Sequence, residues 1–186
     1  MLRHLIRSVR DSVHHLLRSP RLGSAHRRRL AAVTAGVLLT AGFGLAVPAS
    51  ASATATPLVT NARWGGHCTY DRIVIDLQGS VPGVTVTPVS ELVYDGSGKP
   101  VPLAGSYFLE IRLHPAAAHD EAGQSVYTGP RLQKIYLPKL KGLAFTGDFE
   151  GYVTFGAAFD TAPRFTTSTL HSPERFVVDI AHPNTC

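Results

Sequence analysis

The sequence predicts an all-β fold, a two-sheet β-sandwich of about eight or nine strands closed by one disulfide. Three observations support this prediction. Beyond residue 53, apolar residues alternate with polar ones in short segments, as in strands that bury one face. Runs of Gly, Pro, Asp and Ser separate these segments, and none of the segments has the longer period of a helix. Two cysteines, Cys68 and Cys186, lie near the two ends of the same region.

Residues 1–53 are predicted to be a secretory leader. They contain eight arginines, one aspartate and an uncharged apolar run at residues 30–47. Two overlapping A-x-A sites follow, which completes the pattern of a cleaved export signal. We expect cleavage after Ala53, or alternatively after Ala51. A permanent membrane anchor is the other interpretation, since the 18 residues of the apolar run just reach a spanning length.

The charge balance changes once this leader is set aside. The whole chain has 18 Lys and Arg, 13 Asp and Glu, and a formal net charge of +5. Residues 54–186 keep only 10 of the basic residues but 12 of the acidic ones. A slightly acidic domain gives no electrostatic reason to expect nucleic acid as a partner. We expect contact with a membrane only through an uncleaved leader.

Cys68 and Cys186 are predicted to form a disulfide. Export would place both thiols in an oxidising compartment, where two cysteines in a small domain are usually bonded. The bond would close a loop of 118 positions and tie the C-terminus to the N-terminal region. Two unpaired thiols are the alternative.

The domain is predicted to span residues 58–186, after a short flexible lead-in at residues 54–57. Its first part is predicted to contain four strands. The clearest is residues 106–113, where Tyr107, Leu109, Ile111 and Leu113 share one face. Turn residues are dense at 94–100, and the Asp-Gly pair there favours a hairpin. The other three strands are expected at residues 58–64, 70–77 and 84–89.

The second part begins with residues 114–130, which have no periodicity and are expected to form a mobile loop with one helical turn at Ala116–Ala118. Residues 147–159 are predicted to run from a turn into an aromatic strand. Further strand segments are expected at residues 131–140, 143–146, 164–170 and 175–181.

Two of these strands share a motif of Arg, apolar, Val, apolar, Asp, apolar. It begins at Arg72 in one strand and at Arg175 in the other. The similarity predicts two strands in equivalent places of a sandwich whose halves repeat each other, although chance alternation explains it equally well. In each strand the Arg and the Asp point to the same face. On a covered face they would pair across strands, and on an open face they would be free to bind polar ligands.

Three motifs in a fixed order carry a family resemblance: Tyr70–Leu77, Asp148–Tyr152, and the segment from Arg164 to His182. Together they resemble the AMIN-like domain of secreted and lipid-anchored actinobacterial proteins, a relative of the AMIN domain that targets cell-wall amidases to peptidoglycan. The resemblance covers roughly residues 58–183. Two features of the sequence differ from the family pattern: it has no attached amidase, and it lacks the lipobox cysteine that many AMIN-like proteins carry.

The resemblance implies a non-catalytic, secreted β-sandwich associated with the cell wall. Its expected ligand is peptidoglycan or another wall polymer, without a cofactor. An envelope protein is the alternative partner, and a glycan hydrolase is a third possibility. Six residues are the candidates for ligand contact: Arg72, Asp148, Phe149, Glu150, Tyr152 and Arg175.

The candidates around residue 150 combine acids with aromatic rings. Asp148 and Glu150 are expected to share a face, beside Phe149 and Tyr152. Glycosidases also use two carboxylates, but these two lie in one turn with no acidic cluster to oppose them. A glycan-contacting or structural role is therefore favoured over hydrolysis. Trp64 and Tyr70 are further candidates for stacking on sugars, or else core residues.

No metal site is predicted. His114, His119, Asp120 and Glu121 are of metal-binding types, but they fall in an aperiodic segment and are expected to be solvated. No nucleophile motif such as G-x-S-x-G occurs in the sequence, and the G-x-G at residues 96–98 lies in a hairpin turn rather than before a helix.

Overall fold

The computed structural model describes residues 55–186, so the predicted leader and its cleavage sites lie outside the described residues. Within that range nine strands form two antiparallel sheets, which confirms the predicted all-β sandwich. The four-stranded sheet has the order β1-β2-β9-β8, and the five-stranded sheet has the order β3-β4-β7-β6-β5. The strands are β1 (Leu58–Gly66), β2 (Tyr70–Gln78), β3 (Gly83–Val89), β4 (Tyr107–His114), β5 (Leu132–Lys134), β6 (Leu140–Phe149), β7 (Tyr152–Phe159), β8 (Phe165–Leu170) and β9 (Arg175–Ala181).

The inner faces of the two sheets meet in one hydrophobic core. Ile73 and Ile75 of β2 are fully buried there, together with Ile111 of β4 and Phe155 of β7. Each such side chain stabilises the fold by roughly 1.5–3 kcal/mol. Trp64 of β1 also packs against this core, because it lies directly opposite Ile73. Of its two predicted roles, stacking or core, the structure therefore supports the core.

The outer face of the five-stranded sheet is partly covered by the segment between β3 and β4. Leu92, Val101 and Leu103 of this segment form a second, smaller core with Ala158. Small residues of β6 and β7 make room for it, since a Cβ on Gly156 would lie 2.7 Å from the Leu92 side chain. The covering segment explains why β7 is buried on both faces for most of its length.

Two predicted segments around β6 differ from the structure. The predicted strand at 131–140 is only β5, three residues long, followed by a loop. The predicted strand at 143–146 and the predicted turn after it both belong to β6. The true turn contains only Glu150 and Gly151, whose φ angles of 49° and 79° suit a two-residue hairpin.

As predicted, the segment between β4 and β5 contains no strand. It is tied into the core, however, rather than projecting from it. Ala116, Ala118 and Tyr127 are buried, and the Val59 amide donates to the Ala117 carbonyl at 2.8 Å. The Ala117 amide donates in turn to the carbonyl of Pro57. The helical turn predicted at Ala116–Ala118 is absent, since the small side chains allow the chain to pack closely in an extended form.

The two strands with the shared motif, β2 and β9, are hydrogen-bonded neighbours in one sheet. The prediction that they occupy equivalent places in two repeating halves is therefore wrong. Because they run antiparallel, Arg72 lies opposite Asp179 and Asp76 lies opposite Arg175. The same motif on both strands thus places each basic residue opposite an acidic one.

The predicted disulfide between Cys68 and Cys186 is present. It joins the turn between β1 and β2 to the tail that follows β9, so it fastens one end of the four-stranded sheet. Backbone hydrogen bonds run beside it, from the Thr185 amide to the Cys68 carbonyl and from the His182 amide to the Thr69 carbonyl. The C-terminal tail is therefore held along several residues.

Candidate glycan-binding site

The structure separates the six predicted ligand residues into three places. Phe149 and Tyr152 lie opposite each other at the end of the β6-β7 hairpin, with Glu150 in the turn between them. Asp148 points to the other side of β6, because successive residues of a strand alternate between faces. The remaining two, Arg72 and Arg175, lie on the four-stranded sheet.

Three aromatic rings form a row at the outer end of the five-stranded sheet. The row consists of His114, Tyr152 and Phe149, on the adjacent strands β4, β7 and β6. The His114 and Tyr152 rings are stacked with centroids 4.1 Å apart. Phe149 is 67% exposed and Tyr152 is 40% exposed. The aromatic row therefore presents ring surface to solvent on a rigid sheet.

Local alternation places these rings outside the core. Leu113 and Val153 are fully buried, so their neighbours His114 and Tyr152 face outward. Phe149 is directly paired with Tyr152 and shares that face. His114 was not predicted to contact a ligand, because it begins the aperiodic segment in the sequence. It nevertheless continues the outward alternation of β4, and that signal identifies it.

Polar groups flank the aromatic row. The guanidinium carbon of Arg112 lies 5.7 Å from the Tyr152 ring centroid, and an Arg112 nitrogen lies 3.1 Å from a Glu110 oxygen. Thr85 and Thr87 of β3 are the strand partners of these two residues and are exposed. Hydrogen-bond donors and acceptors thus lie beside the rings of the aromatic row.

Asp148 has a structural task of its own. One of its oxygens accepts a hydrogen bond from the Ala118 amide at 3.1 Å, and the other lies 2.7 Å from Nδ1 of His119. Because β6 ends at Phe149, Asp148 and Glu150 do not share the face that a continuous strand would give them. The two carboxylates therefore do not flank a common space as a glycosidase pair must.

The outer face of the four-stranded sheet carries the predicted arginines in ion pairs or backbone contacts. Arg72 donates two hydrogen bonds to Asp179, at 2.7 and 2.8 Å, and these raise the pKa of Arg72 above its usual value. The cross-strand ion pair considered for Arg72 is thus present. Asp76 pairs with Arg63 of β1 instead of Arg175, at 2.7 and 2.8 Å. Arg175 donates to the Pro173 carbonyl.

Tyr70 is also engaged within the protein. Its ring stacks on His67 with centroids 4.4 Å apart, and the Arg72 guanidinium lies 5.1 Å from the ring centroid. It is also only partly exposed. Tyr152 makes the same kinds of contact, with His114 and Arg112, but it is 40% exposed, and Phe149 is 67% exposed with no stacking partner among the described residues.

The metal-binding residue types near residue 114 do not converge. His114 stacks on Tyr152, whereas His119 contacts Asp148. Asp120 accepts hydrogen bonds from two amides of its own loop. Across residues 55–186, no three His, Cys, Asp or Glu side chains come together as a metal site. Over the same range no helix is both long and apolar enough to cross a bilayer.

Comparison with known proteins supports the family suggested by the sequence motifs. No curated protein and no solved structure matches the chain. The family model of the AMIN-like domain matches residues 57–182, which include all nine strands and the aromatic row of the described part. Because this match covers more than half of the sequence, the chain belongs to the AMIN-like domain family.

Proposed function

We propose that this protein is a non-catalytic binding module of the cell envelope that recognises peptidoglycan, or another wall glycan, through its aromatic row. Membership of the AMIN-like family indicates an envelope or cell-wall association, and the family is generally non-catalytic. The observation that carries the proposal is the row itself: three rings on adjacent strands with polar neighbours, of which Phe149 is 67% and Tyr152 40% exposed.

The dimensions of the row suit a short stretch of glycan. Neighbouring strands lie about 4.8 Å apart, so three strands span about 10 Å. That is about the length of a disaccharide. Rings held at this spacing would contact consecutive sugars, while Arg112 and Glu110 would bind hydroxyl groups beside them. A rigid sheet also avoids the entropy cost of ordering a loop on binding.

The expected affinity for a short fragment is low. Each ring contact contributes roughly 0.5–1.5 kcal/mol if sugars behave as aromatic partners do. A polymer presents many copies of the same fragment, so intact wall offers each module a high local concentration of sites. The proposal therefore predicts weak binding to soluble fragments and clear retention on intact wall.

Export belongs to the same proposal. Residues 1–53 would act as the secretory leader, and the protein would be secreted and associated with the wall. Family membership is consistent with an envelope or secreted location.

Co-sedimentation with purified peptidoglycan tests the proposed function. We expect the processed protein to sediment with the polymer, and the double variant Phe149→Ala, Tyr152→Ala to lose affinity roughly tenfold or more. Tyr136→Ala is the matched control, because Tyr136 is 91% exposed but lies beyond the opposite end of β6. That end is about 30 Å from Phe149, at 3.3 Å per residue.

Two results would count against this function. Equal retention of the double variant and the control would remove the aromatic row as the binding site. Failure of the wild-type protein to sediment, together with cross-linking in cells that recovers a single protein, would favour the alternative of an envelope protein partner.

A further inference from the structure

A cleft separate from the aromatic row lies along the edge of β6 that continues past β5. Its volume is about 610 Å³, and four consecutive β6 residues, 145–148, line it. Consecutive residues from both faces can line one space only at a strand's edge. The short β5 pairs with β6 only as far as Ala144, and beyond it the edge is met by single backbone hydrogen bonds, from the Phe145 amide to the Arg131 carbonyl and from the Asp95 amide to the Thr146 carbonyl. Other side chains of the lining come from Tyr94, His119, Ser125 and Arg131.

Arg131 is held in this cleft without an acidic partner. Its guanidinium carbon lies 4.9 Å from the Phe145 ring centroid, and its backbone carbonyl accepts the Phe145 amide at 2.9 Å. Arg63, Arg72 and Arg112 each have a carboxylate within 4 Å. Among the described residues Arg131 has no such ion pair, so its planar set of donors is available to an anion.

His119 adds a second oriented group. Both oxygens of Asp148 accept hydrogen bonds, one from the Ala118 amide and one from Nδ1 of His119. A carboxylate in this position assigns the imidazole proton to Nδ1. Nε2 of the neutral ring is then a hydrogen-bond acceptor on the side away from Asp148, so it can accept a peptide N–H but cannot donate to a carboxylate, and 44% of the His119 side chain is exposed.

We infer that this cleft binds the terminal carboxylate of a short peptide attached to the glycan, with Arg131 as the main contact. The inference rests on the proposed function, since the peptide stems of peptidoglycan supply such carboxylates. The nearby Asp148 carboxylate repels a doubly charged phosphate more strongly than a singly charged carboxylate. The Tyr94 ring, which lines the cleft, leaves an apolar wall for a small side chain next to the carboxylate.

The position of the cleft agrees with this assignment. Asp148 lines the cleft and the next residue, Phe149, belongs to the aromatic row. The two sites therefore meet at the end of one strand. A glycan on the row would carry its peptide round the β6 edge into the cleft.

Binding of two soluble probes tests this inference. Both are disaccharides that carry a short peptide ending in alanine, one with a free C-terminal carboxylate and one with a C-terminal amide. Calorimetry with the wild-type protein should show roughly tenfold tighter binding of the free acid, the effect of one charged hydrogen-bonded pair. Inorganic phosphate should compete with the free acid less well than acetate does.

The variant Arg131→Gln should remove the preference for the free acid, and Arg131→Lys should restore part of it. Arg164→Gln is the matched control, since Arg164 is also without an acidic partner among the described residues but lines a different cleft beside Tyr70. The control should keep the full preference. A far-ultraviolet spectrum and a melting curve for each variant establish that it is folded.

The outcomes separate this inference from the proposed function. Equal binding of acid and amide by the wild type would overturn the carboxylate site, while loss of binding in Phe149→Ala would still support the aromatic row. Conversely, an acid preference that depends on Arg131 but not on Phe149 would support the cleft and contradict glycan binding by the row. Stronger competition by phosphate than by acetate would overturn the choice of carboxylate.

Discussion

The outer face of the four-stranded sheet and the outer end of the five-stranded sheet are both accessible, but their chemistry is opposite. On the first, Arg72 and Arg63 each donate two hydrogen bonds to a carboxylate on a neighbouring strand. On the second, Phe149 and Tyr152 present ring surface to water, and Arg131 nearby has no acidic partner among the described residues.

The difference shows how a binding surface can be distinguished from a structural one. A bidentate ion pair uses most of the donors and acceptors of both side chains, so little remains for a ligand. Phe149, by contrast, is 67% exposed and has no stacking partner among the described residues. The difference supports a stabilising role for the four-stranded face and the proposed ligand contact at the end of the five-stranded sheet.

The largest expected effect is on stability and comes from the disulfide that fastens the four-stranded sheet. The double variant Cys68→Ser, Cys186→Ser opens a loop of 118 residues, which should lower the free energy of unfolding. Chain entropy sets the loss at about 4–5 kcal/mol as an upper limit. Urea unfolding measures it. A loss of glycan affinity in the fraction that remains folded would contradict the separation of roles.

The next effect concerns a buried carboxylate that links the two sheets. Asp71 of β2 is fully buried, and one oxygen accepts the amides of Lys139 and Leu140 at 2.7 and 2.8 Å. Its other oxygen lies 3.3 Å from Nε2 of His182. Asp71→Asn should lower stability by about 2–3 kcal/mol, since an amide replaces a charged acceptor of two hydrogen bonds.

Chemical unfolding at neutral pH measures the Asp71 effect, with Asp160→Asn as the exposed control. Asp160 is 65% exposed and lies 3.5 Å from the Lys141 ammonium, so its loss should cost little. Similar losses in both variants would mean that the inter-sheet link does not depend on the buried charge.

A smaller effect is expected from the ion pair on the four-stranded face. A double-mutant cycle with Arg72→Gln and Asp179→Asn should give a coupling of about 1 kcal/mol, because both side chains are only partly buried. The more exposed pair of Arg63 and Asp76 should give less than that. A coupling of zero for both pairs would remove the structural role that separates this face from the aromatic row.

A further effect is a pH dependence in the five-stranded half. Burial raises the pKa of Tyr127 to about 12, above its ordinary value of 10.0. The folded state therefore holds the neutral phenol while the unfolded chain ionises, so stability is full below pH 10 and falls as pH rises toward 12. Tyr127→Phe loses the hydrogen bond to the Pro130 carbonyl but not the ring contact with Phe145.

Unfolding of Tyr127→Phe and wild type should be compared at pH 8 and pH 11. At pH 8 the wild type should be more stable than Tyr127→Phe. At pH 11 this difference in the free energy of unfolding should be smaller. A constant difference between the two proteins would show that the phenol does not govern the alkaline loss.

Much of the fold was predictable because alternation of apolar and polar residues along a strand determines which side chains lie on the inner face of each sheet. β2, β4 and β9 have strong alternation or a shared motif, and their positions were predicted closely. The disulfide was predictable since two cysteines allow only one pairing. The loop after β5 was misread as strand because Ile135 and Leu137 pack against the core from an irregular segment.

The candidate site was only partly predictable. Phe149 and Tyr152 were predicted as ligand contacts from the aromatic residues around position 150, and the structure pairs them on one face, but the two-residue turn at Glu150 places Asp148 on the other side of the strand. A turn of this type is usually signalled by Asn or Gly at its first position, and here that position is Glu150. His114 and Arg131 were missed, because their neighbours in space come from distant parts of the chain.

The central claim is that the aromatic row, and not the charged face, holds the wall polymer. Co-sedimentation with purified peptidoglycan should be compared between two folded double variants. The first carries Phe149→Ala with Tyr152→Ala, and the second carries Arg72→Gln with Arg175→Gln. We predict that the first pair of changes lowers affinity roughly tenfold or more and the second less than about twofold. A strong loss in the arginine variant with normal retention of the aromatic variant would contradict the claim.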